Sequence, residues 1–164
     1  MVTTTARPAT ANSVTSDQVL EHWQGHRRLT RRVIEAFPEK ELFTLSVGNM
    51  RTPAQLIQEL LAIGAPGLRQ IVHGTTDKLN EKEDPKNSKE NLLRLWDEST
   101  EEINNLWVSL PDGAFDKEIL AFGQYPGTGW SSISYFIDNE IHHRGQMYVY
   151  LRTLGIEPPF FWER

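Results

Sequence analysis

Between Ile137 and Gly155 the chain reads IDNEIHHRGQMYVYLRTLG, which sets Asp138, Asn139, Glu140, His142, His143 and Arg144 in one run with apolar flanks. The apolar positions Phe136, Met147, Tyr150 and Leu154 recur at helical intervals. Steps of three and four from Phe136 pass through Asn139 or Glu140, then His143, before reaching Met147. Asn139 and His143 therefore belong on the buried stripe one turn apart, with Glu140 on its shoulder. Asp138 and His142 are left for a neighbouring helix or water. An earlier segment repeats the pattern with one carboxylate, because Leu56, Glu59 and Ile63 share a stripe and place Glu59 at core depth. Unpaired polar groups are costly at such depth. Two accounts of them are open: a metal or catalytic site, or a hydrogen-bonded network that holds the fold and needs neither.

Other constellations are weaker. His22 and His26 have the i,i+4 spacing of a zinc pair, but His26 shares its helix face with Trp23 and no carboxylate completes the set. Glu140 and His143 form an E-x-x-H element of the di-iron bundles, whose required second copy is missing. Arg144 suits a carboxylate on a neighbouring helix, or the anchoring of an anion. With no cysteine, thiolate metal sites and cysteine nucleophiles are excluded, so any metal must rely on His, carboxylate or amide oxygen. No phosphate loop, nucleotide fingerprint or Ser-His-Asp order is present.

Composition bounds the rest. A length of 164 residues suits one domain, assigned to residues 15–164, after a flexible lead-in over residues 1–14. The formal net charge is −5 and the basic residues are scattered among acids, which argues against nucleic acid as a partner. The Ser/Thr/Ala-rich N-terminus lacks a signal-peptide core, and no apolar run is long enough for a membrane span. A cytoplasmic location without membrane contact is the expectation.

Four helices are expected to position these residues. The first starts at an N-cap Ser16 and runs to about Phe37, with Val19, Trp23, His26 and Thr30 inward. PEKELFTLSVGNM reads as a loop. The second begins at the Thr52-Pro53 start signal and carries Leu56, Leu60, Ile63, Leu68 and Ile71, with a kink or break at Pro66. A long charged linker leads to a third helix, capped by Ser88 and continuing through Trp96 and Trp107 to Leu110. The Gly- and aromatic-rich stretch 113–130 reads as a crossover with a turn or a small hairpin. The last helix spans Ser131 to Leu154 with Gly155 as its cap. This is an all-α four-helix bundle with a long crossover between its second and third helices.

NEIHHRGQMYVYLRTLGIEPP resembles the last-helix signature of the DinB/YfiT-like metalloenzymes, H-x-x-x-H-R-G-Q followed by an apolar stretch, L-R-x-x-G and proline. GNMRTPAQLIQELL and HWQGHRRLTRRVIEAFPEKELF are similar to the family's second and first helices, so the likeness covers most of residues 16–160. It implies an up-down-down-up bundle with a divalent metal (Zn, Ni, Mn or Fe) at one end, held by three histidines. Carried over position by position, those ligands fall on Glu59, Asn139 and His143, so one imidazole of three remains. The implied site is degenerate, binding metal weakly or not at all, with His26, Glu140 and Arg144 as pocket or supporting residues. The resemblance further implies a homodimer with a small-molecule pocket and a binding or stress-related role. The alternative it offers is a metal-dependent hydrolase or a thiol-dependent transferase or isomerase.

Overall fold

The computed structural model describes residues 14–81 and 85–164. The lead-in assigned to residues 1–14 lies outside the described residues, apart from Val14. Five helices and one hairpin follow in the order α1 (Ser16–Ala36), α2 (Glu39–Thr44), α3 (Pro53–His73), α4 (Lys89–Trp107), β1 (Glu118–Ala121), β2 (Tyr125–Thr128) and α5 (Gly129–Thr153).

Helix ends follow side-chain chemistry. Thr15, not Ser16, caps α1, because its hydroxyl accepts from the Gln18 N–H and the Gln18 side chain accepts from the Thr15 N–H. Ser16 instead accepts the Trp107 indole N–H at 2.9 Å, which ties α1 to the end of α4. Thr52 and Gln55 form the same reciprocal cap at α3. At the end of α5, Gly155 sits one residue beyond the cap Leu154, at φ +73°. The Ile156 N–H returns to the Leu151 carbonyl and that of Gly155 to Arg152, a Schellman closure that needs this left-handed position.

Four features differ from the sequence expectation. The stretch read as a loop holds α2, a short helix after Pro38 with Glu39 and Glu41 in its first turn, which docks Leu42 into the core. Helix α3 runs unbroken through Pro66, because packing on both sides outweighs one lost hydrogen bond. Gly67, next to that proline, lets α5 approach so closely that a Cβ there would lie 2.4 Å from the Phe136 ring. Finally, α4 ends at Trp107 and continues only as three-residue turns, whereas α5 starts at the Thr128 cap, earlier than expected.

The contacts give the topology. His26 and Thr30 on α1 meet Arg144 and Glu140, and Trp23 meets Phe136, so α1 and α5 run parallel. Gln24 faces Asn104 and Arg31 faces Asp97, which makes α1 and α4 antiparallel. Arg51 bonds Tyr150, Glu59 bonds His143 and Gly67 abuts Phe136, so α3 opposes α5. The order is up-down-down-up, as expected. Trp23, Trp96, Phe136 and Leu151 are all buried.

The core is divided. One apolar cluster gathers Val19, Trp23, Ile63, Leu68, Ile103, Trp107 and Phe136; the other gathers Val33, Phe37, Leu56, Leu60, Leu92, Trp96, Met147 and Tyr150. Between them on α1, α4 and α5 lie His26, Arg27, Thr30, Thr100, Asn139, Glu140, His143 and Arg144, a polar layer at mid-height. No described helix is long and apolar enough to cross a membrane.

Candidate functional site

Glu59, Asn139 and His143 come together. Glu59 Oε1 accepts from Asn139 Nδ2 at 3.3 Å and lies 3.0 Å from His143 Nε2. Its other oxygen takes the guanidinium of Arg51, whose Nη1 also lies 3.8 Å from Glu81 Oε2. The loop carrying Arg51 is held in turn by α5, since the Tyr150 hydroxyl donates to the Arg51 carbonyl at 2.8 Å. On the far side of the imidazole, His143 Nδ1 meets Gln146 Oε1 at 2.8 Å. Both ring nitrogens thus face oxygens, and both contacts are hydrogen bonds only when each nitrogen carries a proton.

Burial pushes the Glu59 carboxyl upward, but the hydrogen bonds from Arg51 and His143 and their charges outweigh it and hold the group below the usual range. Glu59 is therefore an anion whose lone pairs are largely engaged. Glu59 is legible in the sequence through its stripe, whereas Arg51 and Gln146 join the site only in the fold. Gln146 has a legible signal, the i,i+3 step from His143. Arg51 has none, because it lies in the loop before Thr52, where no periodicity applies.

Glu59 also lines a cavity of about 410 Å³. Its walls are Ile63 on α3, Ser131, Ser132, Tyr135 and Phe136 on α5, Ala121, Phe122, Tyr125 and Pro126 on the hairpin, and Leu79 and Glu81 on the linker. The polar residues lie at mid-height rather than at one end of the bundle, and the cavity extends from them towards the hairpin. The phenol of Tyr135 is pushed up, first by burial and then by the Glu59 charge.

His26, Glu140 and Arg144 lie elsewhere. None lines this cavity; His26 on α1 and Glu140 and Arg144 on α5 share a separate buried network between those two helices. Thr30 donates to Glu140 Oε1 at 2.6 Å and accepts from Arg144 Nη1 at 3.0 Å, while Arg27 stands 3.9 Å from Glu140 Oε2. Arg27 also spans to α4, donating to Thr100 and to the Trp96 carbonyl with its guanidinium stacked 3.4 Å over the Trp96 ring. His26 Nδ1 lies 2.8 Å from Arg144 Nη2, and burial, with Arg144, His22 and Arg164 around it, lowers the His26 pKa to about 3. The ring is neutral at physiological pH. Asp138 and His142 are exposed.

The donor set does not fit a three-imidazole metal centre. Zinc and nickel favour neutral imidazole and thiolate. Here one imidazole and one carboxylate converge, Asn139 turns its NH₂ rather than its oxygen to Glu59, and Arg51 adds a cation beside the carboxylate. Among the described residues no group of three or more His, Asp or Glu side chains is placed to hold a metal ion.

Comparison with known proteins bears on the family and the fold. The model of the DinB family matches residues 8–163. The uncharacterized protein YjoA of Bacillus subtilis (strain 168) is 25% identical over 153 residues, covering 91% of this chain and 97% of its own. The crystal structure of that DinB-like protein superposes with a TM-score of 0.72 at 24% identity, over 90% of this chain and 99% of that one. A DinB-like protein from Bacillus cereus ATCC 10987 gives 0.73 at 16% identity, over 89% and 97% of the two chains. A mycothiol-dependent maleylpyruvate isomerase gives 0.60 at 14% identity, over 80% of this chain and 60% of that one, a likeness of fold.

Proposed function

Starting from a chain that belongs to the DinB family, we propose that it binds a small molecule in the cavity beside Glu59 and does so without the three-histidine metal. The observation that carries this reading is Glu59 itself, one carboxylate that lines a 410 Å³ cavity while bonded to both other family ligand positions. Pockets of roughly 300–1,000 Å³ with apolar walls and a few fixed polar groups are of the kind that hold small ligands. The Arg51–Glu59–His143–Gln146 chain fixes those polar groups before any ligand arrives, which lowers the ordering cost of binding.

A second reading, metal-assisted hydrolase or thiol-dependent transferase or isomerase chemistry, is favoured by one distance. Glu59 Oε1 and His143 Nε2 are 3.0 Å apart, a separation that two ligands of one small cation also adopt. Arg51 opposes it electrostatically. Metal content of protein purified without a histidine tag decides between the two. Substoichiometric metal, with thermal stability unmoved by chelator, is expected; stoichiometric metal would put the enzyme reading first.

A further inference from the structure

We propose that the ligand of this cavity is a small organic cation, a protonated amine carried on an apolar body; this rests on the reading of the cavity as a ligand site. The deep walls are apolar, with Ile63, Phe122 and Phe136, all buried. The rim carries the exposed rings of Tyr125 and Tyr135, whose faces attract cations. The charged lining residues are Glu59 and Glu81, and among the described lining residues there is no Lys, Arg or His.

Arg51 pairs with both carboxylates and reduces their charge, so the two acids and one guanidinium keep a formal net charge of −1 beside the cavity. A carboxylate has about four lone-pair positions. On Glu59 the contacts from Asn139, His143 and Arg51 occupy three, which leaves one for a ligand N–H. Glu81 meets Arg51 at 3.8 Å, an ion pair beyond hydrogen-bond length, and its carboxylate offers the acceptor for a second N–H of the ligand. The raised Tyr135 phenol reports the same field, since burial and the Glu59 charge both resist a further anion there. An anionic ligand would meet this net negative charge with no cation among the described lining residues, whereas a neutral donor could bond Glu81 only without the charge attraction.

Calorimetry with three probes of one shape tests this on the full chain at pH 7 and low salt: 3-phenylpropylammonium, 3-phenylpropanol and 3-phenylpropanoate. The ammonium should bind at least tenfold more tightly than the alcohol, and the carboxylate should give no heat. Glu81→Gln, a partly exposed position, should weaken the ammonium several-fold and leave the alcohol unchanged. Glu59→Gln should remove most of the preference, with circular dichroism verifying that it folds. Equal binding of all three probes, or a preference for the carboxylate, overturns the cation assignment while leaving the cavity a ligand site. Absence of heat with every probe overturns both.

Discussion

Asn139 and Glu140 adjoin in the sequence, as do His143 and Arg144, yet the first of each pair belongs to one network and the second to another. A step of about 100° around α5 sends Asn139 and His143 towards α3, and Glu140 and Arg144 towards α1. On the α1 side the polar groups are buried against Arg27 and Thr30 and line none of the cavities described among these residues. On the α3 side Asn139 and His143 meet Glu59, which lines the cavity, and Arg51, the charged neighbour of that carboxylate, is partly exposed. Polar content does not separate a structural layer from a site; what lies across from each side chain does. The α1 network is an internal fastener between the two apolar clusters, and the α3 network is the one with room for a ligand.

Stability should show this asymmetry most strongly. Glu140→Ala leaves the buried charges of Arg27 and Arg144 without their carboxylate, and should cost about 3–5 kcal/mol by urea denaturation. Trp96→Ala, which removes the ring under Arg27 and opens the second apolar cluster, should cost a similar ~3–5 kcal/mol. Glu59→Ala should cost less, about 1–3 kcal/mol, because water entering from the cavity can solvate the groups it leaves behind. Equal losses at Glu59 and Glu140 would show that the α3 side is as structural as the α1 side.

The next effect sharpens the comparison by rebuilding one side. Glu59→His with Asn139→His gives three imidazoles at positions whose side chains already converge, His143 being oriented by Gln146. At zinc or nickel concentrations about 100 times the dissociation constant, the gain is about 2.7 kcal/mol, a melting shift of roughly 5–10 °C. The natural chain should shift far less with these metals. A double variant whose melting ignores both metal and chelator would show that the three positions do not share a centre.

Much of this was legible beforehand, for identifiable reasons. The stripes of Phe136 to Leu154 and of Leu56 to Ile71 follow from the helical period, so Glu59, Asn139 and His143 could be placed at core depth before any fold was seen. The side that each residue faces depends on which helix packs there, and so Glu140, placed on the shoulder of the site, bonds to α1 instead. Arg51 is unreadable because loop geometry has no period, and Tyr125 because its four-residue strand β2 is too short to show one. Pro66 misled for the opposite reason: the local rule is sound, but Gly67 and Phe136 pack the helix through it. Helix α2 was missed because it is only six residues long and its sole buried anchor is Leu42.

The smallest effect, and the most direct contrast, is in the response to acid. Glu59 has a folded-state pKa held below the ordinary value of 4.5 by Arg51 and His143 against the pull of burial. The stability it contributes is present above 4.5 and is lost as pH falls through the lower folded value. Glu140 behaves oppositely. Burial raises its carboxyl above 4.5 despite Arg27, Thr30 and Arg144, so its linkage contribution is fullest below 4.5 and declines as pH rises through the folded value. Urea midpoints at a series of pH values, for the natural chain and for Glu59→Gln and Glu140→Gln separately, isolate each term. The difference between the natural chain and Glu59→Gln should shrink on acidification below 4.5, whereas the difference for Glu140→Gln should move in favour of the natural chain as pH falls towards 4.5. Parallel trends for the two variants would mean that both carboxylates see the same environment, and the division of α5 into a structural face and a ligand face would fail.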